Sequence, residues 1–311
     1  MPAQLPKRVE IREVGPREGF QSFHAVVPTK DKLRLIESLT HSGLQEIEVT
    51  SFVRPDRVPQ LADAEELVKA LPHHQGVRYT ALYLNQKGFT RAESSGRLSN
   101  RAWLYTSPSD SFLKANSNTT LRQSVASIAD WITLFRAHGK QVYAMVISNA
   151  FGCAYEGTIS AHRVRDVVEL YRRSLTGLGE SLCEICLADT VGMANPLLIQ
   201  ECIEILRPLG IPISLHLHDT RGLGLTNAYT ALQLGVASFE SSVGGIGGCP
   251  FTPGASGNIA SEDLVYLCES LGIETGVNLG ALCQAAHLCE EILGEPLPGR
   301  VYKTYLKNTQ Q

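Results

Sequence analysis

The segment Ile213–Asp219, ISLHLHD, ends an apolar run with two histidines that are separated by one residue. Side chains of a β-strand alternate between its two faces, so His216 and His218 point to the same side. The rise of a strand puts their imidazoles about 7 Å apart. This spacing suits two nitrogen ligands of one divalent cation, and Mg²⁺ or Mn²⁺ then requires oxygen ligands from elsewhere in the chain.

The same kind of run recurs along the chain, and a helical pattern follows each copy. Short, nearly continuous apolar runs are typical of parallel strands that helices cover. Eight such units in 311 residues predict a TIM (β/α)₈ barrel. A doubly wound sheet is the alternative, but no Gly-x-Gly-x-x-Gly follows the first run. The predicted strands are Val9–Gly15, Glu46–Phe52, Val77–Leu84, Arg101–Ser107, Gln141–Ser148, Leu182–Asp189, Ile213–Asp219 and Ser238–Ile246.

Apolar residues at helical spacing, with start and stop signals, predict the intervening helices. The clearest are Lys30–His41, Ser124–His138, Pro196–Leu206 and Ser261–Leu271. A further helix is predicted over Gly280–Gly294, followed by a polar tail. No linker interrupts the pattern. We therefore expect one barrel over residues 9–279 and a short C-terminal helical extension over residues 280–311.

Composition narrows the functional class. The formal net charge is −3, which argues against a protein that binds nucleic acid or a membrane surface. No apolar run precedes the first strand, so neither a signal peptide nor a spanning helix is expected. Eight scattered cysteines without an export signal indicate reduced thiols and a cytoplasmic location.

The polar residues at the carboxyl ends of the predicted strands indicate chemistry, because barrel enzymes place their active sites there. Each has a structural explanation when taken alone: Asp189 could cap a helix, Glu48 could pair with a lysine, and His218 could bind a carbonyl. Charges at buried strand ends are costly unless they are paired or bind a metal. Their convergence therefore predicts a metal site built from Arg17, Glu18, Glu48, Asp189, His216 and His218.

The eighth predicted strand runs into a glycine-rich loop. Gly244, Gly245, Gly247 and Gly248 allow the backbone to approach a ligand closely. Cys249 follows them, and a thiol in that position can donate a proton or act as a nucleophile. The alternative is a small apolar residue beneath a flexible cover.

Several motifs together resemble those of the 3-hydroxy-3-methylglutaryl-CoA (HMG-CoA) lyases. The resemblance extends from about Val9 to Leu279, in order and at plausible spacing. It is carried by Glu13–Gln21, Thr50–Val53, Gly152–Gly157, Ala188–Gly192, His216–Thr220, Gly247–Pro250, Gly254–Asn258 and Glu262–Tyr266.

This resemblance implies a metal-dependent barrel that cleaves an acyl-CoA substrate into acetyl-CoA and a keto acid such as acetoacetate. It implies Mg²⁺ or Mn²⁺ bound by Glu18, His216, His218 and Asn258. Arg17 would stabilise the enolate oxygen, and Cys249 would supply or guard its proton. Glu48 and Asp189 would order the polar network, and Glu262 would support the loop. The family further implies a homodimer and a role in leucine degradation.

Coenzyme A carries phosphates, so cations are expected along its path. Lys87 follows the third predicted strand and is a candidate for this role. A solvated lysine is the alternative.

The chain departs from the family pattern near the expected metal and acyl group. Glu18 stands where the family has aspartate, Phe20 replaces leucine, and Arg221 replaces a tyrosine found in many relatives. These changes leave citramalyl-CoA, cleaved to acetyl-CoA and pyruvate, as an alternative substrate. A synthase that condenses acetyl-CoA with a 2-oxo acid is a second alternative, which the Gly-Gly-Cys-Pro loop argues against. An inactive metal-binding scaffold is a third.

Overall fold

The computed structural model describes residues 5–248 and 257–309. Its contacts divide the chain into two compact units. Among the described residues, one unit, here the terminal unit, comprises 6–100, 238–248 and 257–309. The other, the central unit, comprises residue 5 and residues 101–237. Elements are numbered in chain order.

The terminal unit contains four parallel strands in the order β3-β2-β1-β10. They are β1 (Glu10–Glu13), β2 (Glu46–Ser51), β3 (Arg78–Leu82) and β10 (Ser238–Ser241). The helices are α1 (Gly15–Ser22), α2 (Thr29–Thr40), α3 (Ala64–Ala70), α4 (Gln86–Ser94), α11 (Ser261–Ser270), α12 (Leu279–Leu293) and α13 (Val301–Thr309). Short 3₁₀ turns occupy Pro59–Leu61 and Val243–Gly245.

The central unit contains four further parallel strands in the order β9-β8-β5-β4. They are β4 (Ala102–Thr106), β5 (Val142–Ile147), β8 (Glu184–Ala188) and β9 (Ile213–His216). A small hairpin joins β6 (Gly152–Cys153) to β7 (Gly157–Thr158). The helices are α5 (Asp110–Ser117), α6 (Leu121–Ala126), α7 (Ile128–Ala137), α8 (Ala161–Gly177), α9 (Pro196–Leu206) and α10 (Gly224–Gln233), with a 3₁₀ turn at Arg207–Leu209.

Each of the eight predicted strands contains an observed strand, and the described pairings among these eight strands within each unit are parallel. Helix α9 begins at Pro196 and ends at Leu206, as predicted, because Asn195 caps the amides of Leu197 and Leu198. The predicted helix Ser124–His138 was wrong as a single element. It is divided at Ser127, whose backbone amide and hydroxyl bond back to Gln123 and Ser124.

The predicted polar tail was also wrong in part, since Val301–Thr309 form α13. Asp263 provides the reason: its carboxylate accepts from the backbone N–H groups of Arg300 (3.1 Å) and Val301 (2.8 Å), which begin that helix. Among the described residues, no helix has both the length and the apolar character needed to cross a bilayer.

Candidate active site

Arg17 lies at the centre of a charged cluster in the terminal unit. It belongs to α1, which begins directly after β1 because Pro16 suits a first helical turn and the amides of Arg17 and Glu18 bond to the carbonyl of Val14. Its guanidinium donates from Nε to a carboxylate oxygen of Glu48 on β2. Its Nη2 lies 3.1 Å from Glu18 Oε2. The structure therefore brings these three residues together, and their catalytic roles stay predictions.

This cluster carries more negative than positive charge. Burial raises the pKa of Glu48 to about 7, although Arg17 opposes the change and Glu240 and Glu18 add to it. Burial by itself would lower the pKa of Arg17, but the carboxylates of Glu48 and Glu18 raise it overall. The guanidinium stays charged, and the excess of carboxylates favours the binding of a further cation nearby.

The two histidines lie side by side at the end of β9 in the central unit, as the alternation of a strand requires. Their Nε2 atoms are 3.1 Å apart, and both residues are buried. Two imidazole nitrogens this close, facing one point, are suited to a shared metal ion. The structure brings the two rings closer than the roughly 7 Å expected from the strand rise, with centroids 5.1 Å apart, and their role as metal ligands stays a prediction.

Asp189 follows β8 and uses its carboxylate on the backbone. Oδ1 accepts from the amide of Met193 (2.8 Å), and both oxygens accept from the amide of Ala194 (3.1 Å each). Burial raises its pKa, while these hydrogen bonds and the two histidines act in the opposite direction. Asp189 therefore fixes the loop that follows β8, and its own amide donates to the carbonyl of His216 at 2.8 Å.

The side-chain amide of Asn258 is buried, and its nitrogen and its oxygen differ in hydrogen bonding. Its Nδ2 donates to the carbonyl of Ile246 at 3.2 Å. Its Oδ1 has no hydrogen-bond partner within the described residues, although Asn258 is only 1% exposed. A buried carbonyl oxygen without a partner is costly in a folded protein unless a ligand completes it.

The residues present fit a divalent cation. In the central unit, the Nε2 atoms of His216 and His218 lie 3.1 Å apart and can bind one ion. In the terminal unit, Glu18 offers a buried carboxylate. Imidazole and carboxylate ligands suit a divalent transition metal or Mg²⁺. The excess negative charge around Arg17 and the unpartnered oxygen of Asn258 agree with that assignment.

Glu262 and Glu13 are buried in the terminal unit, and their carboxylates accept hydrogen bonds from backbone amides. Glu262 Oε2 accepts from Gly244 at 3.0 Å. Glu13 accepts from Gly15 (2.7 Å) and Val243 (2.9 Å) through one oxygen, and from the hydroxyl of Ser261 (2.6 Å) through the other. Burial raises the pKa of Glu262 to about 8 and that of Glu13 to about 7. Glu262 contacts the glycine-rich segment that it was expected to support, and that role stays a prediction. Glu13 received no role from the sequence.

Glu13 could have been found from its position as a charged residue at the end of the first predicted strand. Other polar residues near strand ends also received no role from the sequence. Three atoms near the carboxyl ends of β1 and β2 are buried without a hydrogen-bond partner in the described part of the chain: Gln21 Oε1, Thr50 Oγ1 and Ser51 Oγ. Such atoms are candidates to contact a substrate.

Three other residues were named from the sequence, and the structure describes two of them. Lys87 is exposed in the first turn of α4. Arg221 donates from Nη1 to the carbonyls of Val191 (2.7 Å) and Gly192 (2.9 Å), and so connects two loops of the central unit. Cys249 lies outside the described residues.

Comparisons with known proteins agree with this geometry. The HMGL-like family profile matches residues 8–289. The chain is 40% identical over 297 residues to a hydroxymethylglutaryl-CoA lyase of Bacillus subtilis (strain 168), covering 95% of this chain and 96% of that protein. It is 41% identical to the mitochondrial enzyme of Bos taurus, with coverages of 93% and 87%.

Solved structures give the same result. The crystal structure of a Bacillus subtilis HMG-CoA lyase superposes with a TM-score of 0.89 at 38% identity, covering 98% of this chain and 99% of that one. An HMG-CoA lyase of Acinetobacter baumannii, in complex with coenzyme A and 3-methylmalate, has a TM-score of 0.86 at 38% identity, with coverages of 96% and 95%.

The strands and the candidate metal ligands define a lyase built on a TIM barrel. Within that class, the chain belongs to the HMGL-like family. The fold, the family and the enzyme class predicted from the sequence are thereby confirmed.

Proposed function

We propose that this protein cleaves 3-hydroxy-3-methylglutaryl-CoA to acetoacetate and acetyl-CoA in a reaction that requires Mg²⁺ or Mn²⁺. The observation that carries the proposal is the pair of buried imidazoles of His216 and His218, whose Nε2 atoms lie 3.1 Å apart. In the terminal unit, Arg17 is paired with Glu18 at 3.1 Å. A metal ligand and a guanidinium are what this cleavage requires. The names of the relatives support the same substrate.

The cleavage breaks the bond between C2 and C3 of the acyl chain. The tertiary hydroxyl loses its proton, the ketone of acetoacetate forms, and the bonding electrons pass to C2 as a thioester enolate. That enolate then takes a proton at C2 to give acetyl-CoA. A divalent cation, when bound, supplies a Lewis acid for the hydroxyl and carboxylate oxygens of the substrate.

The chain's own residues supply the remaining requirements. Arg17 is a fixed cation for the enolate oxygen, because Glu48 and Glu18 hold its guanidinium in place. Asn258 offers its amide oxygen as a fourth ligand. Asp189 orients the loop after β8 and bonds through its backbone to His216. Cys249 is proposed as the proton donor on the basis of the family resemblance.

The decisive experiment measures the release of acetyl-CoA from 3-hydroxy-3-methylglutaryl-CoA. The protein is first treated with EDTA, and Mg²⁺ or Mn²⁺ is then restored. We expect cleavage only with the metal. The His216→Ala variant should lose at least about a hundredfold in Mn²⁺ affinity, because outer-shell changes alone cost up to this amount.

The matched control is His162→Ala, which replaces an exposed histidine of α8. It should bind Mn²⁺ and turn over like the wild type. Cleavage that survives complete metal removal would contradict the proposal, as would unchanged Mn²⁺ affinity in His216→Ala.

A second substrate belongs in the same assay. The Acinetobacter baumannii enzyme binds 3-methylmalate, a hydroxy diacid of the same carbon number as citramalate. We therefore propose citramalyl-CoA as the alternative substrate. A higher kcat/KM for citramalyl-CoA than for 3-hydroxy-3-methylglutaryl-CoA would replace the first assignment with the second.

Other features stay predictions from the sequence. These are the homodimer, the cytoplasmic location, the role in leucine degradation, the contact of Lys87 with coenzyme A, and the division into a barrel over residues 9–279 and an extension over residues 280–311.

A further inference from the structure

The C-terminal extension contacts the glycine-rich segment that follows β10. We call residues 243–247 the glycine turn and residues 297–301 the C-terminal brace. The amide of Gly299 donates to the carbonyl of Gly244 at 2.9 Å. The prediction from the sequence gave this part of the chain no functional role.

Side-chain packing fixes the brace against the turn. Gly244 has a φ of +64°, and a Cβ built on it would lie 2.4 Å from Leu297 Cδ1. Leu297 therefore occupies the space that any larger residue would need, and it is only 3% exposed. A Cβ on Gly299 would lie 2.2 Å from Glu262 Oε1, so the backbone also approaches the buried carboxyl closely. Glycine is required at both positions.

The brace is itself anchored at both ends. Lys303 donates to the carbonyl of Leu297 at 2.5 Å. Asp263 accepts from the amides of Arg300 and Val301. The hydroxyl of the buried Tyr302 donates to Glu290 on α12. The segment is therefore a rigid support rather than a loose end.

The glycine turn is hydrogen-bonded to Asn258. Glu13 and Glu262 hold the amides of Val243 and Gly244 at one end of the turn. At the other end, the carbonyl of Ile246 accepts from Ser242 Oγ (2.6 Å) and from Asn258 Nδ2 (3.2 Å). The position of the Ile246 carbonyl therefore decides where the Asn258 amide lies, and with it the unpartnered Oδ1.

We propose that the C-terminal brace is a positioning element of the metal site, which acts through Gly244 and the carbonyl of Ile246 to hold Asn258 Oδ1 in place for the cation. This inference rests on the proposed function, since it assumes that Asn258 is a metal ligand. Leu297 touches neither the metal nor the substrate in this account.

The test compares Leu297→Ala with Leu67→Ala, which truncates an equally buried leucine of α3 in the same unit. Both variants create a core cavity and should lower the unfolding temperature. Three quantities are measured for each: the Mn²⁺ dissociation constant of the metal-free protein, the kcat and KM for 3-hydroxy-3-methylglutaryl-CoA, and the unfolding temperature. Binding is measured well below that temperature, so that only folded protein is compared.

We expect Leu297→Ala to weaken Mn²⁺ binding about tenfold and to lower kcat by a similar factor, as for other changes behind a metal ligand. The Leu297→Met variant preserves the side-chain volume, so its Mn²⁺ affinity and kcat should equal those of the wild type. Leu67→Ala should bind Mn²⁺ like the wild type. Leu297→Val, a smaller truncation, gives the same comparison if the alanine variant does not fold.

Equal Mn²⁺ affinity in the Leu297 and Leu67 variants would overturn the inference while leaving the proposed function intact. A wild-type protein that neither binds Mn²⁺ nor cleaves the substrate would instead overturn the proposed function, and the inference with it.

Discussion

An arginine–glutamate pair lies at each end of β2, and the two pairs differ in how their charges are balanced. At its amino end, Glu46 accepts from Arg78 at 2.9 and 3.1 Å. Arg78 also pairs with Glu10, which bonds to Arg12. Two arginines thus face two carboxylates there. At its carboxyl end, a single guanidinium, that of Arg17, faces Glu48 and Glu18 with Glu240 nearby.

The difference is one of charge balance and of geometry. The amino-end cluster neutralises itself along neighbouring strands, which is a structural arrangement. The carboxyl-end cluster is left with excess negative charge, and its cation comes from a helix that follows β1. A buried arginine–glutamate pair is therefore evidence of function only where its charges are incompletely compensated.

The largest expected effect distinguishes the two arginines. Arg17→Gln should lower kcat by at least about a hundredfold, because it removes a donor aimed at developing negative charge. Arg78→Gln should keep kcat close to the wild-type value, while its free energy of unfolding falls by about 1–3 kcal/mol as Glu46 loses a partner. Acetyl-CoA release and urea unfolding measure the two quantities. Similar kcat losses in both variants would remove the functional distinction between the ends of β2.

A second prediction concerns the buried carboxyls behind the site. Folding raises the pKa of Glu262 from 4.5 to about 8 and that of Glu13 from 4.5 to about 7. The folded state therefore holds protons that the unfolded state releases between these values. Their contribution to stability is complete below pH 4.5 and is lost as the pH rises to about 8.

Glu262→Gln should reduce the slope of this loss by up to about 1.4 kcal/mol per pH unit between pH 5 and 8, the value for one proton. The amide still accepts from Gly244, so the hydrogen bond is retained. The measurement is the free energy of unfolding in urea across this pH range. Glu201→Gln, which changes an exposed residue of α9, should keep the wild-type slope. Parallel curves for all three proteins would show that Glu262 is charged in the folded state.

The smallest effect is expected at Arg221, which follows the end of β9 and donates to the backbone carbonyls of Val191 and Gly192 within the central unit. Arg221→Ala should lower the free energy of unfolding by about 0.5–1.5 kcal/mol. Because the side chain connects two loops, the KM for the acyl-CoA should stay within about twofold of the wild-type value. A tenfold rise in KM would instead place Arg221 in contact with the substrate.

Much of the fold was predictable because it depends on local periodicity. Each predicted strand matched an observed one, and α9 was correct at both ends, since alternation, helical spacing and caps are properties of neighbouring residues. The division between α6 and α7 was missed because it depends on a side-chain bond of one serine. Helix α13 was missed because its first turn is held by Asp263, 38 residues earlier in the chain.

The candidate site, like the fold, was predictable only where it depends on neighbouring residues. The sequence by itself determined the parallel (β/α) pattern, the adjacency of His216 and His218, and the presence of acids at strand ends, because each follows from the spacing of residues along one element. Only the tertiary structure decided which acids act together. Glu46 and Glu48 are alike in sequence, yet packing brings only Glu48 to Arg17. Nothing in the spacing of residues singles out Glu13 or Leu297, yet packing places both against the glycine turn. Contacts between residues that are distant in the sequence set the charge balance of the site and the orientation of its side chains. The spacing of residues along one element does not encode either property.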